Sequence, residues 1–410
     1  MNPSPPTNAR LAAPAHLTAV PEAELRARAE RFARRLRADG LDGAFLLHPS
    51  SAFWVTGTLS QGWTFVDADG RVWLPLRTSV GRAANESPWP VAAVTHPAEL
   101  PAALTALGAT VGDAIGLELD VVPAADVARL EKAFGLAFRD VSRAIRETRA
   151  VKSAYEIEWI ERAGKLVSHA MDVTLPPHVK EGVREIDLNA FLEGEMRRAG
   201  HQGTLRVRRW NLEMHMGTIS AGLSASYPCY FDGPDGLEGL YPAIQQGGGE
   251  RRIERGVTVL VDFVGAMGGY LADRTRVVCV GEPASEARAA HEFCAEMLEA
   301  IVSRLRPGVA PSAIWDDVMA LAGKSPFADR FMGFGENQVK FLGHGVGLDL
   351  DEFPVIARRF DAPLQPGHVL AVEPKVFLGA AGGVGIENTY VVTESEARNL
   401  TPGSEMIRVL

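Results

Sequence analysis

The sequence predicts an α/β domain over residues 21–150, followed by an α+β domain over residues 151–410. Three observations lead there. Short apolar runs alternate with helical patterns up to residue 149. At Ser153 and Glu156 a capping-box pair opens a new helix, which puts the boundary near residue 150. Further on, two β-branched apolar runs separated by glycines predict a long antiparallel hairpin.

The elements follow in order. Residues 1–20 are rich in Pro and Ala and read as a loose arm. Leu25, Ala29, Phe32 and Leu36 lie at helical spacing and stop at Gly40. Short apolar runs at 43–47, 52–55, 72–76 and 91–94 predict strands, with helices over 98–107 and 124–134. After Ser153, the residues Ile157, Ile160, Ala163 and Val167 continue one apolar face. A second helix is expected over 186–198, ending at Gly200. A longer one over 287–305 is stopped by Pro307 and Gly308.

Bulk properties narrow the function. A chain of 410 residues with 46% hydrophobic and 23% charged content is an ordinary globular composition. A net charge of −9 argues against nucleic acid as the main partner. No apolar run is long enough for a membrane span, and the first residues carry no signal-peptide pattern. Cys229, Cys279 and Cys294 are few and not in CxxC spacing, which suits a reducing, cytoplasmic compartment.

Chemistry concentrates in the second domain. Asp262 interrupts the apolar run 259–264, and Asp273 interrupts the run 270–278. With Met267 and Gly268 as the two-residue loop, 262 pairs with 273. The two carboxylates would then stand about 4.5–5.5 Å apart at Cβ. Buried side by side, they repel unless protons or cations compensate. The alternatives are a solvent-facing pair, or an Asp273 ion pair with Arg274 or Arg276. His344 sits between glycines in GHGVGL, Glu373 follows the apolar run 369–372, and Glu387 precedes the run 389–392. Taken singly, the histidine reads as structural and the glutamates as edge-strand residues. Taken together, four acids and one imidazole match the charge of two divalent cations and suit a dinuclear site. Oxygen-rich ligation with one imidazole favours Mn²⁺, Fe²⁺ or Co²⁺, with Zn²⁺ also compatible.

The order Asp262, Asp273, His344 in GHGVGL, Glu373 in VEP and Glu387 in GIEN resembles the pita-bread metallopeptidases. FWVTG at 53–57 and RAVKSAYEIE at 149–158 look like the prolidase and aminopeptidase P branch, with its creatinase-type N-terminal domain. The resemblance implies a pita-bread fold and a cytoplasmic homodimer acting on small peptides, as an Xaa-Pro dipeptidase or aminopeptidase. It implies two divalent ions, manganese foremost, and a bridging hydroxide as nucleophile. Asp262 would bind one metal, Asp273 and Glu387 both, and His344 and Glu373 the other, with Glu373 also moving the proton. Two departures stand out. SYPCYFDG places Cys229 before Tyr230 where relatives have a histidine, and LDLDEFP places Asp351 before Glu352 where relatives have another. Cys229, Tyr230, Asp351 and a substitute imidazole, His215, are therefore the candidate substrate-binding residues. A metal-dependent lyase, a non-peptide amidohydrolase and a non-catalytic binding module are the rival readings.

Overall fold

The computed structural model describes residues 19–230 and 233–410. Most of the predicted N-terminal arm, residues 1–18, and two residues of the SYPCYFDG stretch lie outside the described residues. The chain divides into two compact units, Met1–Thr148 and Arg149–Leu410.

The first unit opens with the helix Glu22–Ala38, whose Leu25, Ala29, Phe32 and Leu36 are buried. Its six-stranded sheet runs, edge to edge, through Val91–Ala93, Val72–Leu76, Thr64–Asp67, Gly43–Leu46, Ile115–Leu117 and Arg139–Asp140. The strands are mixed, parallel toward both edges and antiparallel in the middle. One predicted strand is corrected here. Residues 52–55 lie in the helix Pro49–Thr56, not in a strand. Pro49 at its first position pre-sets the helical φ, and Gly57 closes it in the left-handed region.

The second unit begins with the helix Ala154–His169, and its capping box forms as the sequence predicts. Two helices, Ala154–His169 and Glu185–Arg198, bury Val167, Leu188 and Leu192 against Ile219, Val261 and Phe263 of a four-stranded sheet. That sheet is ordered Arg408–Val409, Tyr270–Cys279, Thr258–Met267 and Gly217–Ala221. A five-stranded sheet is ordered Glu352–Val355, Gly343–Gly345, Val369–Val372, Asn388–Val392 and Ala397–Asn399. The helix Ser285–Val302 covers a core containing residues such as Leu370, Val372 and Ile386. A short ribbon pairs Lys375–Phe377 with Gly383–Gly385. An isolated bridge between Thr275 and Glu387 joins the hairpin to the chain leading into the five-stranded sheet.

The central hairpin forms, but its register differs from the expected one. Met267 pairs with Tyr270, so the loop is Gly268–Gly269. Both glycines have positive φ, 60° and 92°. A two-residue loop with φ positive at both positions matches the right-handed twist of the strands, and Gly-Gly adopts it without steric cost. Asp262 consequently faces Thr275, and Asp273 faces Val264. Since 262 and 264 share a face, the two aspartates are diagonal neighbours rather than direct partners.

Candidate metal centre

The two sheets and the ribbon deliver their acids to one cleft. Asp262, Asp273, His344, Glu373 and Glu387 all line it. The reason is local in each case. Asp262 and Asp273 come from the middle of long strands. His344 is the centre of the three-residue strand Gly343–Gly345. Glu373 follows Val369–Val372, and Glu387 precedes Asn388–Val392, where both strands lead into the cleft.

Asp273, His344 and Glu387 each offer a ligand atom, and these atoms lie within 4.8 Å of one another. His344 Nε2 lies 3.6 Å from Glu373 Oε1 and 4.0 Å from Asp273 Oδ2. Its other nitrogen, Nδ1, lies 3.1 Å from the carbonyl oxygens of Gly345 and Leu350. A proton on Nδ1 donated to those carbonyls fixes the tautomer that leaves Nε2 as a ligand. Thr275 Oγ1 donates to Glu387 Oε2 at 2.7 Å, while Glu387 Oε1 is buried with no hydrogen-bond partner. Two buried carboxylates and an imidazole with ligand atoms this close, one carboxylate keeping an oxygen without a partner, make a donor set that fits a divalent metal ion.

Neither neighbouring arginine neutralises Asp273. Arg274 reaches Asp172 instead, and Arg276 reaches Asn388 and the backbone oxygens of Thr275, Glu387 and Ser404. Burial, then the nearby Glu387 and Asp262, push Asp273 well above the usual carboxylate range. Burial, reinforced by Glu373, also lifts Glu387 to about 7 against the pull of Lys375. For His344, burial acts downward, but Asp351, Glu373 and Glu387 outweigh it and raise the imidazole.

Two residues that sequence reasoning missed complete the centre. Lys375 Nζ donates to Asp262 Oδ2 at 2.7 Å, Glu373 Oε2 at 3.0 Å and Asp235 Oδ2 at 3.1 Å. Its ion pair with Glu387 Oε2 spans 3.1 Å. Burial pulls this lysine down, but the four surrounding acids outweigh it and raise it well above its usual value. Asp235 is a fifth buried acid, pushed up chiefly by its burial. A lysine inside the apolar run VLAVEPKVF was the available signal for Lys375; Asp235, in a Gly-Pro-rich turn, looked like an ordinary turn residue.

The predicted substrate-binding residues separate into two pairs. His215 and Asp351 line the cleft, with Asp351 Oδ1 3.6 Å from His344 Nδ1. Cys229 and Tyr230 do not line it. The Cys229 thiol lies 3.2 Å from the Asp235 carbonyl oxygen, and the exposed Tyr230 hydroxyl donates to the Asn211 carbonyl.

A second buried cluster fixes the segment after His344. Arg149 bonds Asp349 at 2.9 Å and also Glu352, and Lys152 bonds Glu352 at 2.9 Å. The backbone N–H groups of Leu348 and Asp349 donate to the same Glu352 carboxylate, at 3.0 and 3.1 Å.

These features define a metal-dependent hydrolase of the pita-bread fold, preceded by a creatinase-type unit. Residues 158–394 match metallopeptidase family M24, and residues 28–151 match the creatinase/prolidase N-terminal domain. The chain belongs to metallopeptidase family M24 and is a metal-dependent peptidase. It is 26% identical to the Xaa-Pro dipeptidase of Pyrococcus furiosus over 380 residues, covering 92% of this chain and 98% of that one. Its fold is similar to that of the Xaa-Pro dipeptidase from Bacillus anthracis, with a TM-score of 0.78, 22% identity and coverage of 94% and 100%. It is also similar to the X-Pro aminopeptidase from Thermotoga maritima, with a TM-score of 0.76, 24% identity and coverage of 93% and 99%.

Proposed function

We propose that this protein hydrolyses the bond before proline in small peptides, as an Xaa-Pro dipeptidase or aminopeptidase P-like enzyme. The observation that carries the reading is the buried group of Asp273, His344 and Glu387, whose ligand atoms lie within 4.8 Å of one another and in which Glu387 Oε1 has no hydrogen-bond partner. Asp273, His344 and Glu387 would hold a divalent ion, with Glu373 beside them, and manganese suits this oxygen-rich set with one imidazole. When bound, such an ion polarises a carbonyl and lowers the pKa of water toward neutrality. Glu373 would take and return the proton, since one of its oxygens faces His344 and the other is held by Lys375. The homodimer, the cytoplasmic location and the division into an arm (1–20), an N-terminal domain (21–150) and a catalytic domain (151–410) belong to the same proposal.

Asp351 sets the specificity. An imidazole can donate to a developing oxyanion, and an ionised aspartate cannot. The loss of one such donor typically costs about 10²–10³ in turnover. Asp351 would instead attract a cationic group, such as the free amino terminus of a peptide. The test is kcat/KM on a panel of Xaa-Pro dipeptides and longer Xaa-Pro peptides, with manganese present. Slow hydrolysis that Asp351→His accelerates is expected. Cys229→His should change less, because Cys229 does not line the cleft. Absence of hydrolysis across the panel in a metal-loaded sample would contradict peptide specificity and favour the lyase or amidohydrolase reading.

A further inference from the structure

The acid cluster is built around a cation of its own. Lys375 is 1% exposed, and its ammonium lies within 3.1 Å of one oxygen each from Asp235, Asp262, Glu373 and Glu387. The lysine stem has a prepared track. Gly385 pairs with Lys375 across the ribbon, and a Cβ at Gly385 would come 2.4 Å from Lys375 Cγ. Any larger residue there would displace the stem. The ammonium position is therefore set by backbone pairing as well as by charge.

Charge alone would admit two divalent ions, because five carboxylates face one lysine. Space decides otherwise. Carboxylate oxygens ligate such metals at about 2.0–2.2 Å, and paired ions sit about 3.5–4 Å apart. A metal drawing on these oxygens of Asp262, Glu373 and Glu387 would need the volume the ammonium fills. The group Asp273, His344 and Glu387 has no such occupant, and its Glu387 Oε1 is unpartnered.

We propose that Lys375 takes the place of one metal ion, so that the centre is mononuclear. Asp273, His344 and Glu387, with Glu373, hold a single divalent ion, and Asp262 anchors the lysine instead of a second metal. This rests on the reading of those residues as a metal site. It departs from the two ions that the ligand charge count predicts.

The test is manganese per chain, measured by elemental analysis after saturation and dialysis, with calorimetric titration of Mn²⁺ as an independent count. The full chain should hold close to one ion. Asp262→Asn should still hold one, and Lys375→Ala should gain a second, weaker equivalent. Two ions in the wild-type protein would overturn the proposal and leave the metal-dependent reading intact. No binding of any divalent ion would overturn both. Loss of the single ion in Asp262→Asn, or a Lys375→Ala count that stays at one, would also overturn it. The wild-type and Asp262→Asn counts decide the matter even if Lys375→Ala does not fold.

Discussion

Arg149, Lys152, Asp349 and Glu352 form one buried charge cluster in the catalytic unit; Lys375 with Asp235, Asp262, Asp273, Glu373 and Glu387 forms another. In the first, Arg149 and Lys152 pair with Asp349 and Glu352, Arg206 also acts on Asp349, and backbone N–H groups donate to the Glu352 carboxylate, so no acid is left without a cation. The second has five acids, one ammonium and a buried oxygen with no partner. Burying charge is costly unless it is paired. Balance therefore marks a structural lock, and imbalance marks a site that a further cation completes. The titration behaviour divides the same way except at Asp262, which burial would raise but Lys375 and its hydrogen bonds hold below its usual value. Burial would raise Glu352, but Arg149 and Lys152 overcome it and hold the carboxyl at about 2. In the other cluster Asp273 is raised well above the usual range.

The sharpest way to break this comparison is to remove charge from the balanced cluster. Glu352→Gln keeps the side-chain shape but leaves Arg149 and Lys152 facing a neutral group. Breaking a buried ion pair from one side costs about 3–5 kcal/mol. A fall of that size in the unfolding free energy of the metal-free protein, measured by urea titration, is expected, and a change no larger than that of an exposed-surface variant would contradict the assignment.

Acid should act on the same lock. Glu352 has a folded pKa of about 2 against an ordinary 4.5. A depressed carboxyl contributes stability that is fully present above its unfolded value and is lost as pH falls through the folded one. The shift corresponds to roughly 3 kcal/mol. Unfolding free energies measured from about pH 6 down to about pH 2 should therefore converge for wild type and Glu352→Gln as the pH drops. Parallel curves would show that Glu352 is not the group responsible.

Much of this arrangement was legible in the sequence, and the failures have physical causes. Acids set into apolar runs revealed Asp262, Asp273, Glu373 and Glu387, because a buried strand rarely carries an unpaired carboxylate. The hairpin was legible but its register was not. Three candidate glycines, Gly265, Gly268 and Gly269, left the turn undetermined, and moving the loop by one position shifts every cross-strand partner by two residues, which keeps Asp262 and Asp273 on one face but no longer opposite each other. Residues 52–55 misread as a strand because a short apolar run has no distinguishing period, and Pro49 was the overlooked helix-start signal. Lys375 was not legible as part of the centre because a single lysine after an apolar run does not reveal which acids folding brings to it. Asp235 lies 140 positions from Lys375 and meets it only through folding.

The most direct test of the central claim measures stability with and without Mn²⁺, in wild type and Asp273→Asn. Without metal, removing a carboxylate from the over-charged cluster should raise stability, because buried like charges disfavour one another. With Mn²⁺ at about 100 times its dissociation constant, wild type should gain about 2.7 kcal/mol. Asp273→Asn should gain far less and should lose peptidase activity. A wild-type protein that Mn²⁺ and other divalent ions fail to stabilise, or an Asp273→Asn variant that is weaker without metal yet gains as much with it, would contradict the account.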